Sequence, residues 1–223
     1  MTFQPPFDAT FVLEHTHVTS GTLVPEIPLY LLNPESPLGQ LSEPELEASP
    51  FGNPYWAIAW SGSQAISRYI LDNPKLVSGK RVIDFASGCG LAAIAAARSG
   101  ASQILANDID PVCEHATLLN AQLNKVSIPF TSSNLLLEGI PDADIILAGD
   151  VCYEEPLATH VMRWLQKSVQ SGITVLLGDP GRTFLPKSEQ KELERYHAET
   201  IELWEDTDVT RACVRTVLAA TGY

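Results

Sequence analysis

Val82-Ile83-Asp84-Phe85 runs without a break into Ala86-Ser87-Gly88-Cys89-Gly90, and an alanine-rich stretch from Leu91 to Ser99 follows, closed by Gly100. The short apolar run Arg81–Phe85 reads as a buried strand, and the alanine-rich stretch reads as a helix. Between them, Gly88 and Gly90 let the backbone turn tightly and approach a ligand with no Cβ in the way. The unit then repeats. Ser102–Asn107 reads as a second strand that ends at Asp108, and Pro111–Asn124 reads as a helix with proline in its first turn.

Outward from this pair the alternation continues. Downstream, Ile128–Thr131 reads as a weak strand, Asp144–Ala148 as a strong one, Leu157–Gln170 as a helix and Ile173–Leu177 as a strand. Ser188–Tyr196 reads as a short polar helix. Glu199–Trp204 and Ala212–Leu218 alternate apolar and polar residues across an acidic turn at Glu205–Asp208, as half-exposed strands do. Upstream, Ile66, Tyr69 and Ile70 recur at helical spacing from Ser63 until Asp72-Asn73-Pro74 stops that helix. Strands alternating with helices predict an α/β, Rossmann-like fold: a mostly parallel sheet covered on both faces, with an antiparallel C-terminal addition at one edge.

Residues 1–50 differ in character. They are rich in proline and acidic residues, no Lys or Arg precedes Arg68, and the apolar pieces at Phe11–Leu13 and Leu29–Leu32 are short. They read as an irregular, acidic, Pro-rich extension ahead of a domain spanning 51–223. The extension is a solvated arm or a surface that attracts a basic partner. Its first residues lack the pattern of a signal or transit peptide, and no apolar run reaches the length of a membrane span. The expected compartment is the cytoplasm, with no membrane partner. At a formal net charge of −13, binding to nucleic-acid phosphates is disfavoured. The four cysteines form no CxxC and are expected as free buried thiols, and His15 and His17 as surface histidines. No metal site is expected.

Ligands in an open α/β sheet sit at the carboxyl ends of the strands, and two cofactors suit this loop. Gly88-Cys89-Gly90-Leu91-Ala92-Ala93 matches GxGxxA, with Asp108 near the distance expected of a dinucleotide fingerprint. S-adenosylmethionine is the better fit. Asp84 stands just before the loop, where a carboxylate suits an amino group and sits badly beside a pyrophosphate. A helix also precedes the first strand. Asp108 then accepts from ribose hydroxyls. Asn134, after the third strand, either bonds the adenine amino group or caps its own loop.

Further runs extend the pattern: Pro54-Tyr55-Trp56-Ala57-Ile58-Ala59-Trp60, Ile104-Leu105-Ala106-Asn107-Asp108-Ile109-Asp110-Pro111, Gly149-Asp150-Val151-Cys152-Tyr153 and Gly178-Asp179-Pro180-Gly181-Arg182. With these the chain resembles the seven-strand protein-lysine methyltransferases, and among them the electron-transfer-flavoprotein β-subunit lysine methyltransferase family, bacterial relatives included, over roughly residues 50–218. The resemblance implies Trp60 against the cofactor, and Asp84 and Gly88 at its methionine end with Ala86 and Gly90 in the same loop. It puts Asp108 on the ribose with Ile109 beside it, and Asp150 and Tyr153 at the methyl-transfer centre. It implies the flavoprotein β-subunit as acceptor, and it leaves the oligomeric state open. Ala86 stands where the family loop opens with glycine, which is expected to be tolerated at negative φ.

Some alternatives stay open. Asp150 is also placed to cap a helix starting near Glu155. Tyr153 also suits ordinary packing, and Arg182 suits a turn or the substrate mouth. Trp56 and Trp60, four apart, are able to share a helix face in the core. A small-amine methyltransferase, a dinucleotide oxidoreductase and a silent binding fold are the competing functions.

Overall fold

A computed structural model describes residues 7–188, 190–197 and 211–219. The chain begins with helix α1 (Ala9–His15), the antiparallel strands β1 (Thr16–Thr19) and β2 (Leu29–Leu32), and a short helix α2 (Glu43–Ala48). Helix α3 (Ser61–Asp72) follows. The alternating part is β3 (Arg81–Phe85), α4 (Leu91–Arg98), β4 (Gln103–Asn107), α5 (Val112–Leu123), β5 (Phe130–Thr131), α6 (Leu135–Glu138), β6 (Ile145–Gly149), α7 (Leu157–Gln170) and β7 (Thr174–Asp179). Strands β8 (Gln190–Tyr196) and β9 (Ala212–Val217) end it.

The main sheet has seven strands in the order β5-β4-β3-β6-β7-β9-β8. The first five are parallel, β9 runs antiparallel to β7, and β8 runs antiparallel to β9. The chain builds outward from β3 through β4 to β5, then returns to start β6 on the other flank of β3. That reversal is a switch point, and the loops after β3 and β6 open onto it.

Both faces of the sheet are covered because successive side chains point opposite ways. Ile146 lies on the α7 side with Trp164 and Leu165, whereas its neighbours Ile145 and Leu147 pack with Ile66 and Ile70 of α3.

Three expectations change. Residues 190–196 form a strand where a polar helix was predicted. The stretch pairs with β9 through a bulge between Glu192 and Glu194, and Leu193 and Tyr196 pack toward α3 while charged neighbours remain exposed. An exposed edge strand rich in charge is protected against pairing with another chain, so its composition misled the reading of its conformation. The predicted strand Glu199–Trp204 and the turn at Glu205–Asp208 lie outside the described residues.

Nor is the stretch from Phe7 to Ser49 irregular. Val24, Ile27 and Leu29 are buried against Leu91 and Ile94 of α4. Phe11, Val12 and Leu46 are buried with Trp56 and the start of α5. Its prolines and acids occupy the turns and exposed positions between these apolar contacts.

The two tryptophans part company as well. Trp56 belongs to a single 3-10 turn and is buried against Phe11, at 5.9 Å between ring centroids. Trp60 is the residue before α3 and is only partly covered. An interruption between them replaces the shared helix face.

Candidate active site

The glycine loop is assembled from three sides. Asp84, the fourth residue of β3, is buried, and its Oδ2 accepts from the backbone N–H of Ala93 in the first turn of α4 at 2.8 Å. Burial pushes its carboxyl up to about 7; the Ala93 N–H opposes that shift and nearby Asp108 adds to it. Asp108 caps the loop from β4, accepting from Gly88 N–H at 3.0 Å and from Asp110 N–H at 3.1 Å. From α5, Thr117 Oγ1 donates to the Gly88 carbonyl at 3.3 Å and Asn120 Nδ2 to the Cys89 carbonyl at 2.9 Å. These two α5 contacts were missed in sequence, although a Thr and an Asn three apart on an otherwise apolar helix face signal a buried polar contact.

The loop's backbone is unusual. Gly88 and Gly90 have φ of +52° and +78°. Ala86 also lies in the left-handed region at +54°, so the negative φ at which alanine is expected to be tolerated is not the one found. Alanine carries steric strain there of about 1–2 kcal/mol. Its two sides explain why the position is nevertheless held: β3 ends in the sheet at Phe85, and the Ser87 N–H donates to the Asn107 carbonyl at 2.9 Å.

Asp150 stands on the other flank of the switch point, at the end of β6 with φ of +57°. Its side chain turns back under α3. Oδ2 accepts from the Gly62 N–H, and Oδ1 accepts from Arg182 Nε at 3.1 Å. Helix α7 starts at Leu157 without a side-chain cap, so the capping alternative for Asp150 falls away. Burial pushes the Asp150 carboxyl up to about 6, with Arg182 pulling it down and Asp179 pushing it up.

Trp60 links the flanks. Its indole Nε1 donates to the Tyr55 carbonyl at 3.1 Å, and the Arg182 guanidinium lies 5.4 Å from its ring centroid. Tyr55 stacks edge-on to Trp60 at 5.6 Å and faces Tyr153 at 6.1 Å. Tyr55 and Tyr153 are 42% and 43% exposed, so neither is ordinary core packing, and the pair forms an aromatic wall open to solvent. The Tyr55 carbonyl is also the group nearest a side chain added at Gly88, at 3.6 Å. Tyr55 therefore stands between the glycine loop and Tyr153, a place the motif containing it did not reveal.

Ile109 is 69% exposed just past Asp108, leaving an apolar face available to a ligand. Asn134 is set apart: its side chain caps α6, accepting from Leu136 N–H at 3.2 Å, so of its two readings the cap is the one observed. All four cysteines are free and buried. His17 is exposed, whereas His15 is partly buried, packs edge-on to Phe11 at 4.6 Å and has its pKa lowered by burial. Among the described residues no cluster of His, Cys, Asp or Glu suits a metal ion, and no helix is long and apolar enough to cross a membrane.

Residues 65–176 match the model of the ribosomal protein L11 methyltransferase (PrmA) family. The chain is 48% identical over 175 residues to the electron transfer flavoprotein beta subunit lysine methyltransferase of Xenopus laevis, covering 78% of this chain and 70% of the relative. The human protein of the same name is 46% identical over 183 residues, covering 81% and 69%. The homologue from Caenorhabditis elegans is 38% identical over 204 residues, covering 84% and 82%. In structure, a putative RNA methyltransferase from Pyrococcus horikoshii superposes with a TM-score of 0.51 at 12% identity, over 70% of this chain and 83% of that one. At that identity the likeness speaks for the fold alone.

Proposed function

The chain belongs to the family of electron-transfer-flavoprotein β-subunit lysine methyltransferases, and from that membership we propose that it methylates a lysine amine of that subunit with S-adenosylmethionine as donor. The observation that carries the reading is what stands on the two flanks of the switch point. A buried carboxylate and a glycine loop stand on one side, and a second carboxylate with an aromatic wall on the other. The dinucleotide reading of Gly88–Ala93 gives way to the family.

The residues suit this cofactor. Ser87 Oγ is buried with no hydrogen-bond partner among the described residues, and burial, with Asp108 nearby, holds the Asp84 carboxyl above its ordinary range. Both groups border the loop where an amino acid end is expected. A carboxylate offers about four lone-pair positions, so Asp84 and Asp108 keep acceptor capacity beyond the N–H groups they already bind. In this reading Asp84, Ser87 and Gly88 hold the methionine end with Ala86 and Gly90 shaping the loop. Asp108 holds the ribose, Ile109 flanks the base, Asn134 shapes the loop beside it as the cap of α6, and Trp60 closes the side.

When bound, S-adenosylmethionine supplies a sulfonium methyl open to in-line attack. The chain's task is to present a neutral amine to it. Free lysine titrates near ~10.4, and a neighbouring positive charge lowers that value. Asp150 accepts from an amine N–H and aims its lone pair, and Tyr153 with Tyr55 presents ring faces to the cationic product. Water takes the released proton. The cytoplasm is the compartment we assign, supported by four unpaired thiols.

Incubating the purified protein with methyl-labelled donor and the purified flavoprotein β-subunit tests the assignment. Label on a lysine of the subunit is the expected result. Label confined to small amines, or tight NAD binding without heat from S-adenosylhomocysteine, would overturn it.

A further inference from the structure

Arg182 is held at both ends. Its backbone N–H and that of Gly181 donate to Asp179 Oδ1, at 2.8 and 2.6 Å, which pins the turn after β7. At the far end its guanidinium lies between the Asp150 carboxylate and the Trp60 ring, 15% exposed. A carboxylate and an aromatic face are the two surfaces that receive a cationic head group. Arg182 already joins them.

We propose that Arg182 is the positioning residue of the acceptor site: by bridging Asp150 to Trp60 it fixes the carboxylate and the aromatic face between which a lysine amine is presented. The inference rests on the lysine-methyltransferase reading. Its physical basis is the cost of burying Asp150. A buried carboxylate without a partner takes up a proton rather than remain charged.

Among the described residues the groups facing Asp150 are few. Arg182 comes from the turn after β7 and Asp179 from the end of β7. On Asp150's own loop lies Cys152, whose thiol burial pushes up to about 12 and so keeps neutral. From α3 the contact is the Gly62 N–H, which carries no charge. On β9, Arg215 donates to the Asp179 carbonyl at 3.2 Å, one residue further out. Without the guanidinium, the nearest charge left facing Asp150 is the negative Asp179. Asp150 then protonates at higher pH, ceases to be a strong acceptor, and Trp60 loses the cation that orders its ring.

Three variants test this: Arg182→Gln, Arg182→Lys and Asp150→Asn. Carbon-13 resonances of aspartate carboxyls are titrated in the cofactor-free protein, with the Asp150 signal identified by its loss in Asp150→Asn. Its midpoint is expected to rise by about one unit or more in Arg182→Gln and to stay near the parent value in Arg182→Lys, which keeps a cation. An unchanged midpoint in Arg182→Gln, or equal behaviour of the Gln and Lys variants, overturns the proposal.

In turnover, the acidic limb of kcat/KM is expected to move up in pH with the same midpoint in Arg182→Gln. S-adenosylhomocysteine affinity is expected to hold, which also verifies that the variant is folded. A uniform fall in rate with an unmoved limb overturns the proposal as well. Should the Gln variant not fold, Trp60→Phe serves in its place: the acceptor KM is expected to rise with the Asp150 midpoint unmoved, and an unaltered KM overturns the proposal. If the parent protein methylates no lysine acceptor, the lysine reading fails, and the carboxyl titration still decides whether Arg182 governs Asp150.

Discussion

Asp84 carries a carboxyl that burial raises from 3.8 to about 7. The folded chain therefore binds that proton more tightly than the unfolded chain does. This contribution makes stability fall as pH rises from about 4 toward 7 in the unliganded protein. A ligand ammonium beside Asp84 favours the ionised form, so binding releases a proton wherever Asp84 begins protonated. Affinity for S-adenosylhomocysteine is expected to weaken as pH drops below about 7, and Asp84→Asn to flatten that dependence. Calorimetry in two buffers of different ionisation enthalpy reads the proton directly; none released near pH 6.5 would take Asp84 out of the site. Ala86 makes a second residue-scale test. Glycine at position 86 relieves left-handed strain but loosens the unfolded chain, so Ala86→Gly is expected to leave stability unchanged or raise it by up to about 1 kcal/mol. A clear loss in urea unfolding would show that the strain is absent.

Helix α3 is seated on the ends of β6 and β7 by backbone contact. A Cβ at Gly62 would collide with the Gly178 carbonyl and the Asp150 carboxylate, and one at Gly178 would meet the Gly62 carbonyl. The first turn of α3 thus touches the strand ends that carry Asp150 and Asp179. Gly62→Ala is expected to lower stability by about 1–3 kcal/mol, as overpacking does, and to cut methyl transfer more than cofactor binding because it pushes on Asp150. Chemical unfolding and S-adenosylhomocysteine titration check the two halves. Equal loss of binding and transfer would place Asp150 in the cofactor pocket instead. The glycine loop is held differently, by side chains of Asp108, just past β4, and of Thr117 and Asn120 on α5. Removing Asp108 is expected to weaken cofactor binding by about 1.5–3 kcal/mol, the scale of lost hydrogen bonds to a charged group, partly through a loosened Gly88.

Across the whole molecule, the described part of the N-terminal stretch, residues 7–49, is bound into the packing of the sheet's helices. Ile27 and Leu29 are fully buried against α4, and the Tyr30 N–H donates to Asn120 Oδ1 at 2.6 Å. Asn120 also holds the glycine loop, so the hairpin and the loop share a partner. Deleting residues 1–50 is expected to expose this apolar face and abolish cooperative unfolding. Ile27→Ala, a milder change, is expected to cost about 2–5 kcal/mol. A truncated chain that unfolds cooperatively and binds S-adenosylhomocysteine normally would make the segment a dispensable arm.

Periodicity and turn chemistry are local properties, and the elements that depend on them were legible in the amino-acid order. The strand at Arg81–Phe85, the glycine loop, the helix at Leu157–Gln170 and the strand-end carboxylates Asp84, Asp108 and Asp150 all stand where the sequence predicts them. Residues brought together from distant parts of the chain were not legible. Which strand a charged edge segment pairs with, as at Gln190–Tyr196, is set by β9 rather than by composition. The sign of φ at Ala86 is set by the sheet on one side and Asn107 on the other. Arg182 reads as a turn residue or part of a substrate mouth until folding brings it against Asp150, 32 positions away. Local patterns record which way each side chain faces; the partner it meets depends on how the layers close over one another, and that was decided by the tertiary structure.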